Sequence, residues 1–452
     1  MAGCELSLSE VAPVLEATLA GKDGGDTIFN GVTTDSRNVA KGQLFVALKG
    51  PNFDAHDFAG DVQQAGAAAL LVERPLDLPL PQLVVKDSLL ALGQLAAYWR
   101  SRLSIPVIAV TGSNGKTTVK EILASIFSSL GDTLATRGNL NNHIGVPLTL
   151  LSIGKQHKAA IIEMGANHPG EISYLTNIAK PQVAVINNAA AAHLEGFGSL
   201  EGVAKAKGEI YEGLDQDGVA IINADDQFAP LWHELTKDRK KLTFGLQNPA
   251  DIYCQWTGDS NGNRLQVHTP AGNFQCTLKL LGKHNVMNAM AATAATVAAS
   301  IDVQAIADGI NSLQAVPGRL QLKPGVNGSR IIDDTYNANP SSLVAGLDVL
   351  ASCEGKKFLV LGDMGELGDN TIELHQQAGA DAAKLNIDRV FTFGGFSEEA
   401  TQTFGENGQH FEDVERLVEC ILPLLASDVT VLVKGSRMMR MERVVEALIE
   451  SK

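Results

Sequence analysis

Eight residues restrict the fold of this chain more than any other feature: Thr111-Gly-Ser-Asn-Gly-Lys-Thr-Thr118. They follow the apolar run Val107-Ile-Ala-Val110 and precede a stripe of Val119, Ile122, Leu123, Ile126, Phe127 and Leu130 at helical spacing. A strand that turns through glycines straight into a helix predicts a parallel sheet with crossover helices. Gly112 and Gly115 let the backbone turn tightly, so that the N–H groups of Ser113 to Thr118 can face an anion. The helix N-terminus adds its partial positive charge. In such a loop Lys116 neutralises β- and γ-phosphate oxygens and the Thr117 hydroxyl ligates magnesium, so ATP and Mg2+ are the expected ligands. Only Ser113 and Asn114 separate the two glycines, where the usual phosphate loop has four residues.

The rest of the chain supplies the surroundings of that loop. At 452 residues it exceeds one hydrophobic core, and about three domains are expected. Residues 1–86 hold short apolar runs between polar turns (Leu44 to Leu48, Ala68 to Val72, Leu83 to Val85), which suits a small α/β domain. Pro75, Pro79 and Pro81 keep the connection between the last two runs out of helix. From Ser88 the spacing of Leu89, Leu92, Leu95, Ala96, Trp99 and Leu103 becomes helical.

Residues 87–314 repeat apolar strands at Val107, Ala160, Val183 and Val219 with helices between them, the pattern of a parallel sheet covered on both faces. An antiparallel appendage is expected over 240–281, with turns at Asn261-Gly262 and Ala271 to Asn273, followed by an alanine-rich helix from Asn285 to Ala299. Residues 315–452 alternate strands and helices again, predicting a Rossmann-like third domain with ligands beyond the carboxyl ends of its strands.

A net charge of −15 argues against nucleic acid or an anionic membrane as the main partner. The five cysteines are scattered without CxxC spacing, which reads as reduced thiols. With no secretory signal and no apolar run of membrane length, the cytoplasm is the expected compartment.

Other polar residues gain meaning from their position beside the loop. Glu163 ends the apolar strand Ala160-Ile-Ile162, where an acid can hold magnesium directly or through water. His193 follows the next strand, although magnesium prefers oxygen ligands. Lys205 and Lys207 read locally as solvated helix lysines.

Together these residues resemble the Mur ligase family, which extends the peptide of bacterial cell-wall precursors. The resemblance spans nearly the whole chain. It is carried by Thr33-Thr-Asp-Ser-Arg37, the short phosphate loop, Gly138-Asn-Leu-Asn-Asn142, Glu163-Met-Gly-Ala-Asn167 and His284-Asn285. Pro317-Gly-Arg319, Asp333-Asp-Thr-Tyr-Asn337 and Lys434-Gly-Ser-Arg437 complete it. Within the family, Gly138 to Leu151, Ala189 to Gly198 and Gly362 to Gly368 are most similar to members that add D-alanyl-D-alanine to UDP-N-acetylmuramoyl-tripeptide. The DNPR motif of relatives that add a diamino acid is absent.

The resemblance implies an ATP-dependent ligase that works through an acyl phosphate. It implies that Thr117 and Glu163 hold one magnesium and His193 a second. Lys207 matches the position of a carbamylated lysine, with Lys205 as the nearby alternative. His284 and Asn285 would bind ATP, Asn285 at the adenine. Arg319 would face the phosphates, and Asp334 and Tyr336 would touch ATP from the third domain, with Asp333 a second candidate for the ribose. Ser36 and Arg37 would bind the uridine-diphosphate end, and Asn139 and Asn142 would line the path to the loop. Lys434, Ser436 and Arg437 would meet the dipeptide or the transferring group, in an enzyme expected to be monomeric. A kinase or plain NTPase, a folylpolyglutamate-synthase-like ligase and a non-catalytic nucleotide module are the rival readings. Closure of residues 315–452 on ATP is expected, because an acyl phosphate must be shielded from water.

Overall fold

A computed structural model describes residues 3–21, 26–190, 194–259, 262–314 and 316–450, with the side chains of 194 and 195 left aside. The phosphate-loop strand, Val107–Thr111, lies inside a six-stranded, wholly parallel sheet. Across that sheet the order is Lys240–Phe244, Val219–Asn223, Val183–Ile186, Val107–Thr111, Ala159–Glu163 and Thr133–Ala135. The four inner strands are almost continuously apolar because helices cover both faces. From the loop strand the chain crosses to the far edge at Thr133, returns beside itself at Ala159, and then passes to the opposite side at Val183. Strand order therefore reverses at the loop strand, which opens a crevice at the carboxyl ends of Val107–Thr111 and its two neighbours.

The helix after the loop spans Lys116–Ser128 and buries Val119, Ile122, Leu123, Ile126 and Phe127. Leu130, expected on the same stripe, lies beyond its end and is 49% exposed, because the chain is already turning toward the edge strand. The alanine-rich helix, Lys283–Ala298, is buried nearly all round, since alanine lets neighbouring elements approach closely. Strands Tyr253–Asp259, Gly262–Thr269 and Gly272–Leu278 form the antiparallel appendage. Leu265, Val267, Phe274, Cys276 and Leu278 face inward from it to meet Ile306 and Ile310. Asn261 of its first expected turn lies outside the described residues.

Residues before the central sheet form a five-stranded sheet in the order Thr18–Ala20, Gln82–Val84, Ala69–Val72, Leu44–Val46 and Val32–Thr33, parallel except for its first pair. Helix Ser88–Ser101 leads out of it, capped by Asp87, whose side chain accepts from the Leu89 and Leu90 N–H groups. Trp99 donates to the Ile153 carbonyl at 3.0 Å and Arg100 to Ala179 O at 2.8 Å, fixing this helix on the central unit.

The last sheet runs Gln321–Pro324, Arg330–Asp334, Val429–Lys434, Lys356–Gly362, Arg389–Phe393 and Gly408–Phe411. Only its first pair is antiparallel. These are the three α/β units of the expected fold class. No helix among the described residues is long and apolar enough to cross a membrane.

Candidate active site

The loop is held mainly by side-chain amides. Asn114 donates its N–H to Asn188 Oδ1 at 2.9 Å, and its carbonyl accepts from Asn187 Nδ2 and Asn188 Nδ2 at 2.9 and 3.1 Å. Ser113 Oγ accepts from Ala190 N–H and donates to Ala190 O at 2.9 and 3.0 Å. Gly115 begins the helix at φ 77°, and a Cβ there would stand 2.4 Å from Asn288 Oδ1 and 2.5 Å from Asn187 Nδ2. Glycine is therefore required both for its backbone angle and for this close approach. Lys116 reaches across the loop, its Nζ 2.7 Å from Gly112 O. Burial lowers its pKa, opposed by the nearby Glu163 carboxylate and reinforced by Arg319.

Glu163 lies opposite Val110 in the parallel register, so the strand end delivers its carboxylate to the foot of the loop. Its Oε2 accepts from Thr117 Oγ1 at 2.9 Å and its Oε1 from Asn141 Nδ2 at 2.8 Å. Thr136 Oγ1 accepts from the Glu163 N–H at 2.9 Å, and buried Lys120 donates to the Thr136 carbonyl at 2.9 Å. From across the cleft Arg319 Nη2 donates to Thr117 Oγ1 at 2.9 Å. Its guanidinium lies 4.1 Å from the Tyr336 ring centroid, and its Nε is buried without a hydrogen-bond partner among the described residues. A hydroxyl and a carboxylate side by side are hard oxygen donors, so the set fits magnesium, and the orphaned guanidinium nitrogen suits an anion beside it.

The two lysines of helix Leu200–Gly208 are unalike. Lys205 is exposed and pairs with Glu201 at 2.7 Å, an ordinary surface i,i+4 contact. Lys207 is 2% exposed, with its Nζ 5.5 Å from the Phe197 ring centroid. Burial first, then the charge of Lys116, pushes its pKa down from 10.5 to about 7. His193 lies outside the described residues; Ala189, four residues earlier, is tied by its N–H to Asp226 Oδ2 at 2.8 Å.

On the facing side, strand ends of the third unit bring Asp334 and Lys434 together, with Lys434 Nζ 2.5 Å from Asp334 Oδ2 and 3.0 Å from Asn337 O. His284 lies near both; desolvation lowers its pKa to about 4 despite the pull of Asp334, so its imidazole is neutral at pH 7. Asn285 is buried, donating to Leu281 O at 2.8 Å and accepting from Asn288 Nδ2 at 3.0 Å. Asp333 is taken up by Lys323 and by the Thr335 hydroxyl, each at 2.7 Å. Ser436 donates its N–H to Asp363 O at 2.9 Å, and Arg437 pairs with Glu442 at 3.2 Å. Asn142 Oδ1 accepts from the Ile144 and Gly145 N–H groups at 3.2 and 2.9 Å where helix Gly145–Leu151 begins, and Asn139 is exposed beside it. In the first unit Arg37 pairs with Asp35 at 2.8 Å on the surface, next to half-buried Ser36.

Asn141, Asn187, Asn188, Asn288 and Lys120 were not singled out from the sequence. Asn141 sits in the quoted stretch Gly138–Asn142, the one signal that could have found it. The others work through tertiary contacts that leave no periodicity.

Comparison with known proteins follows the same lines. The Mur ligase middle domain matches residues 110–296, the glutamate ligase domain of Mur ligases residues 318–437, and the Mur ligase family catalytic domain residues 28–100. The UDP-N-acetylmuramoyl-tripeptide–D-alanyl-D-alanine ligase of Escherichia coli (strain K12) is 46% identical over 99% of both chains. MurF from Acinetobacter baumannii superposes with a TM-score of 0.94 at 38% identity over 100% of both chains. MurF ligase from Thermotoga maritima, solved in complex with ADP, does so at 0.82 and 31%, covering 92% of this chain and 96% of that one. In sequence and in its three units, this chain belongs to the Mur ligase family.

Proposed function

We infer that this chain joins the terminal carboxylate of UDP-N-acetylmuramoyl-tripeptide to the amine of D-alanyl-D-alanine, with hydrolysis of ATP and through an acyl phosphate, in the assembly of peptidoglycan precursors. Its full-length similarity to ligases of that name supports the substrates. The observation that carries the chemistry is the contact across the cleft, where Arg319 from one side and Glu163 from the other converge on the Thr117 hydroxyl.

A carboxylate resists attack by an amine until one of its oxygens is phosphorylated. The loop N–H groups and Lys116 hold the β- and γ-phosphates in line with the substrate carboxylate. Lys116 and Arg319 offset the repulsion between the two anions and the charge that develops as the γ-phosphoryl group transfers. Thr117 and Glu163 would hold one magnesium, and His193 with Lys207 as its carbamate a second. Magnesium, when bound, supplies concentrated positive charge beside the phosphate oxygens.

Lys207 suits carbamylation better than Lys205, because a neutral amine is the form that attacks carbon dioxide, releasing one proton as the carbamate forms. Asp334, held by Lys434, would contact the ribose; Tyr336, His284 and Asn285 would complete the nucleotide pocket. Ser36 and Arg37 would take the uridine-diphosphate end, Asn139 and Asn142 the path between, and Lys434, Ser436 and Arg437 the dipeptide or the transferring group. We assign the reaction to a single chain in the cytoplasm.

The test is a substrate panel read by phosphate release and product mass. Release should require the UDP-tripeptide and D-alanyl-D-alanine together, with a product mass equal to their sum less one water. Phosphate release with neither present would make the chain a plain ATPase.

A further inference from the structure

We propose that Asn114 is a positioning residue for the ligation, coupling closure of the third domain to the geometry of the phosphate loop. The two residues between the loop glycines point in different directions. Ser113 turns back on its own sheet and exchanges two hydrogen bonds with Ala190. Asn114 reaches across the cleft. Its Nδ2 donates to Ser341 Oγ at 2.7 Å, Ser341 Oγ donates to Asn339 Oδ1 at 3.0 Å, and Asn339 Nδ2 donates back to Asn114 Oδ1 at 2.8 Å.

These three groups close a ring in which each donates once and accepts once, all in the same sense. Bonds arranged this way polarise one another and are lost together. The two ends of the ring are rigid. On the loop side the Asn114 main chain is fixed at both its N–H and its carbonyl by Asn187 and Asn188. On the far side Asn339 caps helix Pro340–Ala351 in a reciprocal capping box with Ser342. A shift of the third domain thus cannot be absorbed by either end, and it is passed to the loop two residues before Lys116. Arg319 makes the neighbouring tie to Thr117, one residue after Lys116, so the lysine is bracketed by two contacts from the same domain.

The kinetic meaning of the ring rests on the ligase reading, whereas closure can be followed without any acceptor. Donor and acceptor dyes on the central and third domains report closure as a non-hydrolysable ATP analogue with magnesium is added. Ser341→Ala removes one member of the ring and leaves the capping box intact, so the helix keeps its start. It should raise the nucleotide concentration for half-closure about tenfold. Asn114→Ala should do the same, the double variant should be no worse than either single one, and Ser341→Thr should restore the wild-type value. In turnover, Ser341→Ala should lower kcat by a similar factor and leave the KM for the UDP-tripeptide unchanged. Half-closure like the wild type in Ser341→Ala, losses that multiply in the double variant, or a wild type whose dyes do not approach would each overturn the proposal. Failure of the ligase reading is a separate result, namely closure on nucleotide without acceptor-dependent phosphate release in the wild type.

Discussion

Lysine 207 shows how much one side chain's surroundings decide. Its ammonium form is disfavoured by burial, so between about pH 7 and 10.5 the unfolded chain binds more protons than the folded one. Stability contributed at this site is therefore lowest below about pH 7 and recovers as pH rises through that window. In buffer free of carbon dioxide, Lys207→Met should raise the thermal midpoint most below pH 7, with the gain fading toward pH 10.5; a gain independent of pH would mean the amine is not desolvated. In turnover, Lys207→Ala should cost about 100-fold or more, and Lys205→Ala, which removes only an exposed pair, less than about threefold. Arg319→Lys keeps the charge but loses the planar fork that bridges Thr117 and Tyr336, and kcat should fall about 100-fold in a steady-state assay. The Lys205–Lys207 alternative could not be resolved in sequence, because two residues two apart on a helix face opposite ways. Which face is covered is set by Phe197 and the rest of the packing.

At the scale of elements, the strand-to-helix turns were readable and their cross-links were not. The loop strand and helix, the acid at the end of Ala159–Glu163 and the alanine-rich helix follow from apolar periodicity and glycine position, both local signals. The amides of Asn187 and Asn288, which pack under Gly115, come from a strand end and a helix far apart in the chain, so no spacing announces them. Gly115→Ala tests that packing. With a positive φ and two side-chain atoms within 2.5 Å of the new Cβ, the variant should lose about 1–3 kcal/mol in denaturant unfolding and most of its nucleotide affinity in titration. Asp363 serves the third sheet in the same way, its carboxylate accepting the N–H groups of Gly395, Phe396 and Ser397 at 2.8–3.1 Å. Asp363→Ala strands those donors and should lower the stability of that domain by about 2 kcal/mol, read from its own unfolding transition.

The whole molecule divides unequally. Leu44, Leu71 and Leu83 of the first sheet share one continuous core with Val107, Ala160 and Trp232 of the central unit, whereas the third unit has separate cores on the two faces of its sheet, to one of which the central unit adds Leu281. Apolar burial of this kind makes the first two units cooperative, whereas the third meets the phosphate loop through the polar ties at Asn114 and Thr117. Calorimetry should accordingly show two transitions. ATP with magnesium at about 100 times its Kd should stabilise the bound form by about 2.7 kcal/mol and bring the two together, if the proposed site takes its ligands from both sides of the cleft. All of this serves one chemical event, the transfer of a phosphoryl group onto a carboxylate at the loop. Labelling the terminal carboxylate of the UDP-tripeptide with oxygen-18 tests that event directly. Attack by the amine expels a phosphate that keeps the bridging oxygen, so each inorganic phosphate released should carry one labelled atom when both carboxylate oxygens are labelled. Unlabelled phosphate accompanying labelled product would show that the acid is never phosphorylated, and would contradict the account.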